Sequence, residues 1–251
     1  NDTVTRYEYD DKTFRLISLR TSGRDGALFQ DLAYTYDPVG NITGIADNAQ
    51  DTIYFRNRRV EPQCLYTYDA LYRLIAAEGR EHLGLGVRQP TPADPYAVYQ
   101  GNQVQPGDGN ALGVYLQRYV YDAVGNILAL HHRNRTESSL GYSRYYQYAL
   151  HSNRLLATEI GDPPATHYTD TPTLADRYQY NIHGSMTRMP HLPALDWDFT
   201  EHLSHIAIRP RPDGPSSLEA WYRYDMQKQR SRKRVRKQDG AIEERLYLGG
   251  M

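Results

Sequence analysis

Tyr34-Thr-Tyr-Asp-Pro-Val-Gly-Asn-Ile42, YTYDPVGNI, returns at residues 119–127 as YVYDAVGNI, 85 positions downstream. The phrase has two halves. Tyr34-Thr35-Tyr36 alternates, which places both rings on one face of a strand. Asp37-Pro38-Val39-Gly40-Asn41 reads as a turn. The Asp side chain can accept hydrogen bonds from the turn's own backbone, Pro presets φ, and Gly supplies the positive φ that closes the loop. Ile42 then restarts a strand, as Ile127 does in the second copy, so each phrase predicts a hairpin.

The pattern recurs along the chain. Aromatic-x-aromatic phrases begin at Tyr7, Tyr34, Tyr66, Tyr119, Tyr146, Tyr178, Trp197 and Tyr222. The steps are 27, 32, 53, 27, 32, 19 and 25 residues, and the 53 is about two periods. A second version of the turn replaces Gly-Asn-Ile with Arg-Leu, as in YDDKTFRLISL (9–19), YDALYRLIAA (68–77) and YALHSNRLLAT (148–158). The two versions alternate through much of the chain, while YNIHGSMTRM and FTEHLSHIAI are degenerate copies. One hairpin is marginal in water, but stacked copies bury one another's aromatic faces, so a fixed period signals a repeat architecture. Helix-period patterns are almost absent. The expected fold is all-β: antiparallel hairpins stacked into one long curved sheet over residues 1–251. Long loops are expected where Pro and Gly cluster, near 84–113, 161–176 and 209–218. Tyr34, Tyr36, Tyr66, Tyr68, Tyr119 and Tyr121 are expected to form a ring ladder. Asp37, Gly40, Asp69, Asp122 and Gly125 are expected to set the turns.

Composition agrees with thin, two-faced sheets. Of 251 residues 39% are hydrophobic and the mean hydropathy is −0.74, yet 23 are Tyr, too aromatic for disorder. Tyr can bury its ring and keep its hydroxyl wet. The net charge of −1 gives no global attraction to nucleic acid or acidic lipid. The single cysteine, Cys64, excludes an internal disulfide framework and a multi-cysteine zinc site. No apolar run reaches membrane-spanning length. The chain begins without Met and stops at RLYLGGM, which reads as a piece of something longer.

The stretch 34–84 joins YDPVGNI, RNRRVEP and YDALYRLI to AAEGREH. It resembles the core of the YD or RHS repeat family, and specifically the RHS core of the TcC component of bacterial insecticidal ABC (Tc) toxin complexes. The resemblance covers the whole chain, more loosely after about residue 145. It implies a wall segment of a hollow shell, built with a TcB-like partner and secreted as part of a toxin complex. Such a shell encloses the component's own C-terminal toxic effector and delivers it through a TcA-like pore. The resemblance also implies no enzyme here, because neither the family's aspartyl autoprotease region nor the effector is visible in the sequence. Asp37-Pro-Val-Gly40 lies in an ordinary repeat turn and does not take the protease's role. Two alternatives stand beside this reading: a surface glycan- or protein-binding repeat module, and the shell of a related interbacterial RHS toxin.

Candidate chemistry is sparse, and no cofactor or metal is expected. His202-Leu-Ser-His205 has the wrong spacing for a zinc helix, and on a strand residues three apart face opposite ways. Asp196 and Asp198 flank Trp197 and would share a face, roughly 7 Å apart, within the range of paired glycosidase acids; a degenerate repeat with solvent-facing acids is the plainer reading. The run Arg230-Ser-Arg-Lys-Arg-Val-Arg-Lys237 is the sharpest charge feature. As a strand it would place Arg230, Arg232, Arg234 and Arg236 on one face. That face reads as solvated or as a contact surface for cargo or a partner, and not for nucleic acid, given the overall charge.

Overall fold

The computed structural model describes residues 2–84, 107–137, 140–208, 218–237 and 239–247. Among them there is no helix, and the strands pair antiparallel. The chain divides into two compact units, with the boundary between Arg144 and Tyr145.

The first unit carries β1 (Val4–Tyr9), β2 (Leu16–Ser22), β3 (Leu28–Tyr36), β4 (Ile42–Asp47), β5 (Ile53–Phe55), β6 (Arg58–Val60), β7 (Gln63–Tyr68), β8 (Leu74–His82), β9 (Leu112–Tyr121), β10 (Ile127–Asn134) and the start of β11 (Gly141–Tyr148). Their hydrogen-bonded order is β1-β2-β3-β4-β7-β8-β9-β10-β11, a meander that β5 and β6 leave to make a small hairpin of their own. The second unit begins with the end of β11, followed by β12 (Leu155–Ile160) and β13 (Asp176–Arg177). β14 (Gln179–Tyr180) and β15 (Met186–Arg188) form a pair. β16 (Ala194–Trp197), β17 (Leu203–Ile208), β18 (Leu218–Tyr224), β19 (Arg230–Arg236) and β20 (Ile242–Leu246) form a five-stranded meander in chain order.

Hairpins recur because the turn recurs. At Asp37, Asp69, Asp122, Asn181, Asp198 and Asp225 the backbone N–H donates to the carbonyl four residues on, and the N–H three residues on donates back. The ladder slips by one residue just before most of these turns, at Thr35/Tyr36, Thr67/Tyr68, Asp196/Trp197 and Arg223/Tyr224 among others. Such bulges increase local twist beside the turn.

The buried residues include five alanines, a few larger apolar side chains and several polar ones. Ala77, Ala129, Ala157 and Ala220 sit under the sheets, and Leu83, Ala111 and Leu140 cluster with Phe55 against them. The expected loop at 161–176 runs without a strand until β13, but it is tied down. Gln147, 1% exposed, donates to the Thr166 carbonyl at 2.9 Å and accepts from the Thr173 and Leu174 N–H groups at 2.8 and 3.0 Å. Of the other two expected loops, 85–106 and 209–217 lie outside the described residues.

Candidate functional site

The repeated chemistry of this chain sits at the joint between one hairpin and the next. In five of the phrases the second aromatic ring donates a hydrogen bond to the main chain of the preceding hairpin. The Tyr36, Tyr68, Tyr121, Tyr180 and Tyr224 hydroxyls donate to the carbonyls of Leu16, Ile42, Leu74, Leu155 and Leu203, at 2.6 to 2.9 Å. Each acceptor is the residue that restarts the strand after the previous turn. A part-buried carbonyl is thereby satisfied by a ring that also packs, which explains Tyr rather than Phe at this place.

The turn carboxylates act locally. Asp37 Oδ1 accepts the Gly40 and Asn41 N–H groups at 2.7 and 2.8 Å, and Asn41 Nδ2 donates to Asp37 Oδ2 at 2.7 Å. Asp122 repeats the set with Gly125 and Asn126 at 2.6, 2.8 and 2.8 Å. Partial desolvation pushes the Asp37 carboxyl up, but the bonds from Asn41 and Gly40 outweigh it and hold the carboxyl below its usual value. Bonds from Arg73 lower Asp69 in the same way. The fourth turn position is left-handed: Gly40 and Gly125 at φ 113° and 102°, but also Tyr72, Glu201 and Lys228 at φ 61–64°; in the longer turn at Asp10 the fifth residue, Phe14, takes this place at φ 56°.

The Arg-Leu version of the turn adds a clasp. Arg15 donates to the Asp37 and Pro38 carbonyls of the next hairpin at 2.9 and 3.1 Å and lies over the Tyr36 ring at 5.6 Å. Arg73 donates to the Asp122 carbonyl at 2.8 Å and lies over Tyr121 at 5.0 Å; Arg154 lies over Tyr180 at 5.1 Å. In the Gly-Asn-Ile version Asn41 and Asn126 instead bond back to their own turns. The alternation in sequence is therefore an alternation of clasped and self-capped turns. The residue preceding Leu16, Leu74 and Leu155 carries this role, and the Arg-Leu spelling of the turn is its signal in the sequence.

The first rings, Tyr34, Tyr66 and Tyr119, lie half-buried on the same strands. Tyr119 stacks on Tyr121 at 6.5 Å and donates to Gln117 Oε1 at 2.8 Å. Tyr66 and Tyr115 have phenols pushed up to about 12, first by burial and then by the neighbouring Cys64.

Two sequence expectations need correction. Trp197-Asp-Phe199 is not a Tyr-x-Tyr equivalent, because Asp198 is the turn residue. Trp197 therefore occupies the second-ring position: its Nε1 donates to the Met186 carbonyl at 2.8 Å, while Phe199 is fully exposed in the turn. The two acids bond separate partners. Asp198 caps its turn through Thr200 and His202, which lower its carboxyl, and Asp196 bonds His205 Nδ1 at 2.7 Å. Arg230 does not share a face with Arg232, Arg234 and Arg236. The bulge at Arg223/Tyr224 pairs it with Tyr224, and its guanidinium lies over the rings of Tyr222 and Tyr247 at 5.8 and 4.7 Å.

A buried polar cluster on β8 and β10 had no sequence signal. His132, 5% exposed, bonds Glu81 at 3.0 Å and is stacked between Tyr142 and Tyr115, at 5.0 and 5.8 Å. Asn134 Nδ2 donates to the same carboxylate at 2.6 Å. Cross-strand neighbours 50 residues apart cannot be read from local pattern. Among the described residues no group of three or more metal-ligating side chains converges.

No protein-family profile matches the chain. Two curated proteins of Yersinia entomophaga do. Toxin subunit YenC1 is 31% identical over 259 residues, covering all of this chain and 24% of the relative; toxin subunit YenC2 is 30% identical over 262 residues, covering all of this chain and 25% of the relative. Solved structures agree. The Tc holotoxin pore of Photorhabdus luminescens superposes with a TM-score of 0.71 at 28% identity, over 98% of this chain and 11% of that one. A TcdB2-TccC3 crystal structure gives 0.71 and 28% over the same shares. This chain is similar to the RHS core of TcC toxin components. It spans about a quarter of the length of the curated relatives it matches. The TcC-like similarity covers every joint described above, including the degenerate ones at Trp197 and Tyr224.

Proposed function

We propose that this chain is a wall segment of a toxin-complex C component, 1–251 forming one repeat region. With a TcB-like partner it would enclose the component's own C-terminal effector for secretion and delivery through a TcA-like pore. The segment itself carries out no reaction. The observation that supports this most is the joint: the same ring-to-carbonyl bond, repeated six times, commits the aromatic residues to joining hairpins. A glycan-binding platform would need those rings presented flat to solvent. The sheet edges support it further. β1 and β20 end their sheets with every residue exposed. An open edge is a template for another strand, and a closed wall removes it.

Co-purification of the chain with a TcB-like component, alongside a glycan array, separates the readings. Retention of the TcB-like component with a blank array is expected. Binding to defined glycans without TcB retention would replace the wall by a surface module. Genes for A- and B-type partners beside this one would separate the Tc type from an interbacterial toxin.

A further inference from the structure

One face of the five-stranded sheet carries more positive charge than it neutralises. Trp221 and Arg223 of β18, Arg232, Arg234 and Arg236 of β19 and Ile242 of β20 line an open groove of about 350 Å³. Glu244 bonds Arg232 at 2.7 Å, and Glu219 bonds Arg236 at 2.6 Å. Arg223 and Arg234 make no salt bridge or side-chain hydrogen bond among the described residues. Arg223 stands directly across from Arg232, the like-charge pairing that destabilises a sheet. Arg232 Nε is buried and unpartnered among the described residues. Arg223, Arg232, Arg234 and Arg236 against Glu219 and Glu244 leave a local surplus of two positive charges, on a chain whose net charge is −1. Glu244 neutralises Arg232, which leaves Arg223 and Arg234 as the charges on this face without a bonded acid among the described residues.

We infer that this groove binds an extended acidic polypeptide segment presenting carboxylates at alternate residues, one to Arg223 and one to Arg234. The spacing carries the assignment. Arg223 opposes Arg232, so Arg234 is its diagonal cross-strand neighbour, about 7–8 Å away. Alternate side chains of an extended peptide lie on one face about 7 Å apart. Each guanidinium offers the planar fork that a carboxylate accepts in two bonds. The Trp221 indole, braced by His205 stacked at 5.2 Å, and the Ile242 side chain give the peptide's intervening atoms an apolar floor. A nucleic-acid backbone suits the groove less well, because the chain's net charge is −1 and Glu244, directly across from Arg234, interrupts any continuous basic track. The inference does not depend on the wall reading.

The test is fluorescence anisotropy on the full chain with a labelled ten-residue peptide alternating Glu and Thr. Saturable binding is expected, together with at least tenfold weaker binding by R223Q/R234Q and unchanged binding by K233Q, which alters the opposite face. R223Q/R234Q should keep the wild-type circular dichroism, since R223Q relieves the like-charge pairing with Arg232 while R234Q removes a charge that faces Glu244. Equal binding of an alternating Gln–Thr peptide would overturn the inference, as would full retention by R223Q/R234Q or no binding by the wild type. Tighter binding of single-stranded DNA, or complete displacement of the peptide by low-millimolar inorganic phosphate, would overturn it in favour of a nucleic-acid or simple anion site.

Discussion

Tyr121 holds three interactions at once. Its hydroxyl reaches the Leu74 carbonyl at 2.8 Å, its face carries Arg73, and its ring stacks on Tyr119. Tyr121→Phe keeps the packing and the cation contact and removes only the hydrogen bond. A loss of about 1 kcal/mol is expected in urea denaturation, with unchanged circular dichroism. Tyr119→Phe should lose less, because Tyr119 bonds a side chain that can turn to water. The turn carboxylates set an acid limit. Asp10, Asp37, Asp69 and Asp198 have folded-state values below their unfolded ones. Their contribution is therefore complete above the unfolded value, about 3.9, and is lost as pH falls through the lower folded value. Melting temperature should be level from neutral pH to about 5 and should drop below about 4. Asp37→Asn should flatten that drop and cost less at pH 7 than Asp37→Ala. Asn181 already fills this turn position natively, accepting the His183 and Ser185 N–H groups.

At the scale of elements, the turns differ in what they tolerate. A Cβ at Gly40 would stand 3.0 Å from an Arg15 guanidinium nitrogen at φ 113°, whereas at Gly125 it would meet open space at φ 102°. Both Val substitutions are expected to cost about 1–3 kcal/mol in backbone strain. Gly40→Val should lie at the upper end and lose the Arg15 clasp as well. Equal melting of Gly40→Val, Gly125→Val and wild type would refute the turn assignment. The segment 161–175 is held by the Gln147 amide together with main-chain bonds of Tyr148 with His167 and Thr169. Gln147→Ala leaves the Thr173 and Leu174 N–H groups without their acceptor. It should cost at least about 2 kcal/mol and make this segment the first site of limited proteolysis. Strand and turn positions were legible in the sequence, because Tyr-x-Tyr-Asp fixes a period-2 strand followed by a turn. The bulges were not. A one-residue slip leaves no local mark, yet it moved Arg230 to the tyrosine face.

For the whole molecule, the thin core sets the thermodynamics. Among the described residues the buried apolar side chains are five alanines and four leucines with Val60 and Tyr148, and Asp31, His132, Asn134, Arg144, Gln147 and Thr158 are buried as well. Polar burial lowers the heat-capacity change that apolar burial raises. Calorimetry should give a value below the usual 12–15 cal/mol/K per residue. A value inside that range would mean more apolar surface is buried than the described residues contain. The sequence alone determined that this chain is all-β, repetitive and joined through tyrosines, because strand alternation and turn chemistry are local properties written within nine residues. The tertiary structure alone decided which ring reaches which carbonyl, that the arginine of one turn clasps the next, and which three arginines share a face. Those outcomes depend on register between strands 20 to 50 residues apart, and register is a property of the paired strands together.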